Sequence, residues 1–323
     1  MTEAVIVSTV RTPIGTAGRG SLLDVDAFEL GREVLVEAVR RSTIDPSLVD
    51  DVMFGESLYG GGDIARHVAV QAGMSHVPGL AMNRHCASGL AAVQNAAASI
   101  RSGMDRVMVA GGTQSSSTMP RTKRRVPGSD DVVDWFSPTH PDSPEAPNMD
   151  MSITVGWNAA VKANVTREEM DAWALRSHQR AVAAIDNGSF DQEIMPIEVV
   201  GRDGTKRSFA VDEHPRRDTS MERLASLKVL HPEIEGFSIT AGNAAGANDG
   251  AAAMVIAADD VAADHGLEPL AVVRSWASVG VPPEDTGLAP TIGIPKALTR
   301  AGLSIDDIDL WEINEAFASM CVA

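Results

Sequence analysis

The sequence predicts an α/β protein in which strands and helices alternate in layers. Apolar, extended-looking runs alternate with helix-spaced amphipathic runs, and one helix–loop–strand pattern occurs twice. With 323 residues the chain can bury one large core or two ordinary ones, so two lobes are expected.

Residues 3–8 (EAVIVS) read as a buried strand, and residues 27–41 carry apolar side chains at helical spacing. The strand-like DDVMFGES (50–57) follows, then a helical stretch at 64–73, the extended GLAMNR, a helix over 86–102 and the strand DRVMVAGG (105–112). From Thr113 to Thr240 the chain is richer in charge and proline, with SPTHPDSPEAPN as a loop. Residues 166–188 form the clearest helix there: Thr166 as cap, Glu168 and Glu169 in the first turn, Gly188 as stop. From Ala241 the first pattern returns. These shifts divide the chain into an N-terminal lobe (1–112), an excursion with its return (113–240) and a C-terminal lobe (241–323).

The repeat supports that division. RRSTIDPSLVDDVMFGE (40–56) and TRAGLSIDDIDLWEINE (299–315) share a basic helix end, a short loop, an apolar–Asp connection and a strand. After its copy the first half continues through a helix, a strand, a second helix and a closing strand, whereas the second runs only to Ala323. The repeat therefore predicts further elements beyond Ala323 in a longer natural protein.

Composition excludes several classes. A formal net charge of -17 argues against general affinity for nucleic acid. The one dense cationic run, Arg121 with Lys123, Arg124 and Arg125, is followed by Asp130, Asp131 and Asp134 and reads as a solvated loop. No apolar run reaches the length needed to span a bilayer. Two cysteines, Cys86 and Cys321, make no disulfide framework, so a cytoplasmic protein is expected.

Cys86 stands at the joint of a strand-like and a helix-like run. A cysteine at a helix N-terminus lies among unpaired N–H groups and the positive end of the dipole, which favour thiolate over thiol. The small Ala87, Ser88 and Gly89 let a thioester carbonyl approach, and the Cys86 N–H is placed to meet an oxyanion. Position alone also allows a small buried hydrophobe. Three other stretches add to it: AGGTQSS (110–116), TAGNAAGANDGAAAM (240–254) and NEAFAS (314–319), in the last of which Asn314 could simply cap a helix.

NRHCASGL followed by these stretches, in this order, resembles the thiolase family. VRTPIG (10–15) and DEHPRRDTSMERLASLK (212–228) extend the likeness over nearly the whole chain. The resemblance implies duplicated α/β lobes in a five-layered α-β-α-β-α core with an inserted loop domain. It implies an acyltransferase that cleaves 3-ketoacyl-CoA with CoA, or condenses two acetyl-CoA, with Cys86 carrying the acyl group. Asn314 would hold a water against the thioester oxygen, and Phe317 would border the acyl pocket. Met151 would line the tunnel, Lys228 would approach the nucleotide, and Ala245 with Gly246 would lie along the pantetheine. Ala245 and Asp150 depart from the family's frequent serine and histidine.

The family's Gly-His-Pro motif and its late cysteine followed by glycines do not occur in these residues, and neither His85 nor Cys321 fits those roles. A polypeptide ending at Ala323 is accordingly expected to be a poor catalyst. No metal and no permanently bound cofactor are implied; CoA and acyl-CoA are substrates. A homodimer or homotetramer is implied, with the DRVMVAGG strand near the subunit contact. Asn-Arg before the cysteine leans toward the degradative branch. A non-catalytic acyl-CoA-binding protein or subunit is the alternative, and a ketoacyl synthase a third reading that GNAAGANDG and NEAFA oppose.

Overall fold

The computed structural model describes residues 2–57, 59 and 63–323. Its strands begin with β1 (Ala4–Arg11), β2 (Gly15–Thr16), β3 (Asp51–Gly55), β4 (Gly79–Met82) and β5 (Val107–Ser115). They continue with β6 (Lys123–Arg125), β7 (Val132–Asp134), β8 (Ile197–Val200), β9 (Lys206–Phe209), β10 (Asn248–Ala258) and β11 (Ala271–Val272). The α-helices are α1 (Ala27–Ser42), α2 (Ile64–Gln71), α3 (Ser88–Ser102), α4 (Asn158–Ala163) and α5 (Arg167–Asp186). Beyond them come α6 (Met221–Ala225), α7 (Asp259–Asp264), α8 (Pro290–Ala301) and α9 (Ala318–Val322).

The chain folds as two compact units. One comprises residues 1–135, 188–214 and 247–274; the other comprises 136–187, 215–246 and 275–323.

The first unit is built on a seven-stranded mixed sheet of order β11-β1-β10-β5-β3-β4, with β2 pairing β10, among the described residues. β3 runs parallel to β4 and β5, while β10 is antiparallel to both β5 and β1. Buried side chains alternate along the strands. Val109 and Val255 join Leu30, Val34 and Leu35 of α1 and Ile64 and Val68 of α2 in one core. Met108 and Ile256, on the opposite side of the pleat, are also fully buried. α3 packs against β3 and β5, where its buried face is mostly alanine: Ala91, Ala92, Ala96 and Ala97. So small a face lets the helix lie close to the strands.

The division differs from the expected one at residue 241. β10 pairs in register with β1 from Ala4 to Arg11 and with β5 from Val107 to Ser115, which places residues 247–274 in the first unit. Long-range antiparallel pairing decides this, and it leaves no local mark. β5 itself lies between β10 and β3, and among the described residues the terminal strands are β11 and β4. The cationic run is exposed as expected, but as strand β6 of a hairpin with β7 rather than a loop.

The repeat is visible in the backbone. α1 ends at Thr43 in the left-handed region (φ 59°), followed by Asp45 capping a 3-10 turn over Pro46–Leu48 and then β3. α8 ends at Gly302 (φ 71°), followed by Ser304 capping a 3-10 turn over Ile305–Asp307. The predicted strand after the second copy differs: residues 308–313 have no ladder partner among the described residues.

The second unit is largely helical. α5 begins at the predicted cap Thr166, which forms a capping box with Glu169, each side chain bonding the other's backbone N–H. It ends at Asp186, just before Gly188 in the left-handed region. A π-helix, Ser152–Trp157, leads into α4. Val155, Ala160, Met170, Phe237, Ile239, Phe317 and Ala318 form the core.

Candidate active site

In the first unit, Cys86 lies on a tight turn between β4 and α3. Helix α3 starts at Ser88, two residues later than expected, and His85 ahead of it takes a left-handed conformation (φ 47°). Ser88 fixes the turn. Its hydroxyl accepts from the Arg84 N–H at 2.8 Å and donates to the His85 carbonyl at 2.5 Å, and the residue is buried. The Ala87 N–H bonds the Arg84 carbonyl at 3.1 Å, and Asn83 accepts from the His85 N–H at 2.9 Å. The turn therefore presents Cys86 exposed, ahead of the first turn of α3, and not as the buried hydrophobe that its position also allowed.

Glycines bring that first turn onto the sheet. A Cβ on Gly55, at the end of β3, would lie 2.6 Å from the Gly89 nitrogen and from Ser88 atoms. Backbone meets backbone there, so a side chain at Gly55 would push the cysteine turn outward.

In the second unit the structure joins GNAAGA to NEAFA. Ala244 and Phe317 pair antiparallel, the Ala245 N–H bonds the Ala316 carbonyl at 2.9 Å, and the Ala318 N–H bonds the Asn243 carbonyl at 2.9 Å. Asn314, Ala245, Gly246 and Lys228 are exposed, whereas Phe317 is 8% exposed and belongs to the core. Asn314 does not cap a helix: α9 starts at Ala318 with Phe317 at the cap position. Met151 is exposed at the head of the π-helix, whose Gly156 lies against the Phe317 ring. The Ser319 hydroxyl donates to the Gly156 carbonyl at 2.7 Å, tying α9 to the π-helix.

Asp150, next to Met151, faces a histidine instead of being one. His231 Nε2 lies 2.7 Å from Asp150, and His231 Nδ1 lies 2.8 Å from Glu233. The bond to Glu233, assisted by Asp150 and opposed by burial, raises the His231 pKa above its ordinary value. Burial disfavours the Asp150 carboxylate, but the Ser152 hydroxyl and His231 outweigh it and hold that carboxyl below the usual range. Cys321 sits half-buried on α9. Burial first, then Glu315, push its thiol up to about 11 despite Arg176, which fits a structural residue and not a nucleophile.

Sequence reasoning missed the role of α5. Arg167 donates to the Leu224 and Leu227 carbonyls just before Lys228. Asp171, almost fully buried, takes Arg167 Nε at 2.7 Å and Asn243 Nδ2 at 3.1 Å. Trp173 Nε1 donates to Glu315 at 2.7 Å, and the Ser177 hydroxyl bonds the other oxygen of Glu315. One helix thus holds three of the segments that carry the candidate CoA and substrate residues of this unit, those of Lys228, of Ala245 with Gly246, and of Asn314 with Phe317. The place of 167, 171, 173 and 177 on a helix was legible; their partners, 57 to 142 residues distant, were not.

The chain matches the family model described as thiolase, N-terminal domain, over residues 4–260 and that described as thiolase, C-terminal domain, over residues 267–323. The chain belongs to the thiolase family. Among similar thiolase-family proteins, the acetyl-CoA acetyltransferase of Syntrophomonas wolfei is 39% identical over 340 residues, spanning 99% of this chain and 82% of its own length. The Escherichia coli acetyl-CoA acetyltransferase is 39% identical, covering all of this chain and 83% of its own. The crystal structure of the Bacillus anthracis acetyl-CoA acetyltransferase superposes with a TM-score of 0.88 at 36% identity, covering all of this chain and 82% of that one. The thiolase fold is of the α/β class expected. Among the described residues no helix is long and apolar enough to cross a membrane.

Proposed function

We infer that this chain is an acyl-CoA acyltransferase of the thiolase type, cleaving 3-ketoacyl-CoA with CoA or condensing two acetyl-CoA through an acyl group on Cys86. The observation that carries this is an exposed cysteine presented by a locked turn at the head of α3, in a chain that thiolase models match over residues 4–260 and 267–323. In thiolysis the Cys86 thiolate attacks the 3-keto carbon. The bond between C2 and C3 breaks, its electron pair leaves as the acetyl-CoA enolate, and a proton adds to that carbon. The thiolate of CoA then attacks the acyl-cysteine thioester, which releases acyl-CoA and restores the Cys86 sulfur.

Asn314 is placed here as the residue whose bound water supports the thioester oxygen, with Phe317 bordering the acyl group. Met151, Lys228, Ala245 and Gly246 take the CoA arm. CoA and acyl-CoA are the small-molecule partners, with no permanently bound cofactor, and the protein is read as a cytoplasmic homodimer or homotetramer. Relatives named for transferase activity, similar over the whole chain, favour catalysis over the non-catalytic reading.

Iodoacetamide trapping in the natural polypeptide tests this. Turnover of acetoacetyl-CoA should fall in step with alkylation of Cys86, and acetyl-CoA should protect the thiol. Full turnover in Cys86→Ser would overturn the assignment.

A further inference from the structure

Resting on the proposed role of Asn314, we propose that Glu315 is a positioning residue, gripped by Trp173 and Ser177 of α5 so that the neighbouring Asn314 is held where its amide can fix the water that supports the thioester oxygen. Asn314 needs such a hold. It is exposed, it caps no helix, and residues 308–315 have no ladder partner among the described residues. A water that donates to a developing oxyanion is useful only if the side chain that holds it is itself fixed beforehand.

Glu315 supplies the fixed point. One carboxylate oxygen accepts from the Trp173 indole N–H at 2.7 Å and the other from the Ser177 hydroxyl. Trp173 and Ser177 are four residues apart on α5, so both reach the carboxylate from one helical face. Trp173 is held in turn, with the Arg176 guanidinium 3.9 Å above its ring centroid. The helix is fixed by its capping box and by the Arg167–Asp171 pair with its almost fully buried carboxylate. On the other side of Glu315 the chain is pinned at once by pairing of 316–318 with 243–245. Asn314 is the residue next to this two-sided clamp.

The test is steady-state kinetics on the natural polypeptide with acetoacetyl-CoA and CoA. Asn314→Ala sets the scale at about 10² to 10³ in kcat. Glu315→Ala is expected to lower kcat by roughly 10- to 100-fold with KM little changed. Glu315→Gln should restore most of the rate, because its amide oxygen accepts from Trp173 while its NH2 donates to Ser177. In the Asn314→Ala background, Glu315→Ala should cause no further loss. Ser177→Ala, a milder change, should show the same kcat-selective loss if Glu315→Ala folds poorly. Wild-type kcat in Ser177→Ala and Glu315→Ala, or full additivity with Asn314→Ala, would overturn the proposal. Cys86→Ser separates the readings: if it is inactive while Glu315→Ala is not, only this inference fails.

Discussion

Replacing Gly156 by alanine tests whether the π-helix and Phe317 form one packed unit. A Cβ at this position would lie 2.8 Å and 2.9 Å from the Phe317 ring atoms Cδ1 and Cγ, and 3.3 Å from Ile239 Cδ1. Carbon atoms in contact ordinarily stand about 3.5 to 4.0 Å apart, so the ring must retreat. It has little room: Phe317 is 8% exposed, Ile239 fully buried, and the Phe317 backbone pairs with Ala244. On helical propensity alone, alanine for glycine would stabilise by about 1 kcal/mol. Overpacking of a buried site costs about 1 to 3 kcal/mol. The balance is a loss of about 1 kcal/mol, measurable by urea unfolding. On the proposal that Phe317 borders the acyl group, KM for longer ketoacyl chains should change more than KM for acetoacetyl-CoA. A variant more stable than the parent would show that the ring yields freely and refute the packing argument.

Thr166→Ala removes the Thr166 half of the α5 capping box and should cost about 1 kcal/mol in unfolding free energy; an unchanged urea midpoint would count against it. Peptide mapping after limiting iodoacetamide at about pH 8, below the ordinary cysteine pKa, should find Cys86 labelled before Cys321. Cys321 is half-buried with its thiol pushed up to about 11, and preferential labelling there would contradict its placement. His231 binds its proton more tightly when folded, so the stability it contributes is full below its unfolded pKa of 6.5 and fades as pH rises through the raised folded value. The stability difference between the parent and His231→Gln should therefore shrink above pH 6.5, and a difference independent of pH would rule out the clamp by Asp150 and Glu233.

Local signals were read correctly where the cause was local. Thr166 with Glu169, and Gly188, delimit α5 because caps and left-handed stops act on the nearest turn. The repeated αL residue and 3-10 turn at 43–48 and 302–307 followed from a loop chemistry visible in two places. Cys86 and its small neighbours were legible, but the left-handed backbone of His85 and the start of α3 at Ser88 were not. The π-helix was equally hidden, because one wide turn in MSITVGW leaves the apolar spacing almost unchanged. The placement of β10 and the grip of Trp173 and Ser177 on Glu315 depend on partners over a hundred residues distant.

The place of β10 between β1 and β5 has a consequence during synthesis. When β5 leaves the ribosome, its apolar VMVA run still lacks the neighbour that closes one edge, and β1 lacks the same neighbour. That partner, Asn248–Ala258, emerges only after the whole of α5 and α6. At about 5 to 20 residues per second the wait is on the order of ten seconds. Two uncapped edges over such an interval invite pairing with other nascent chains, so the yield of native protein should respond to chaperone supply and to translation rate ahead of codon 248.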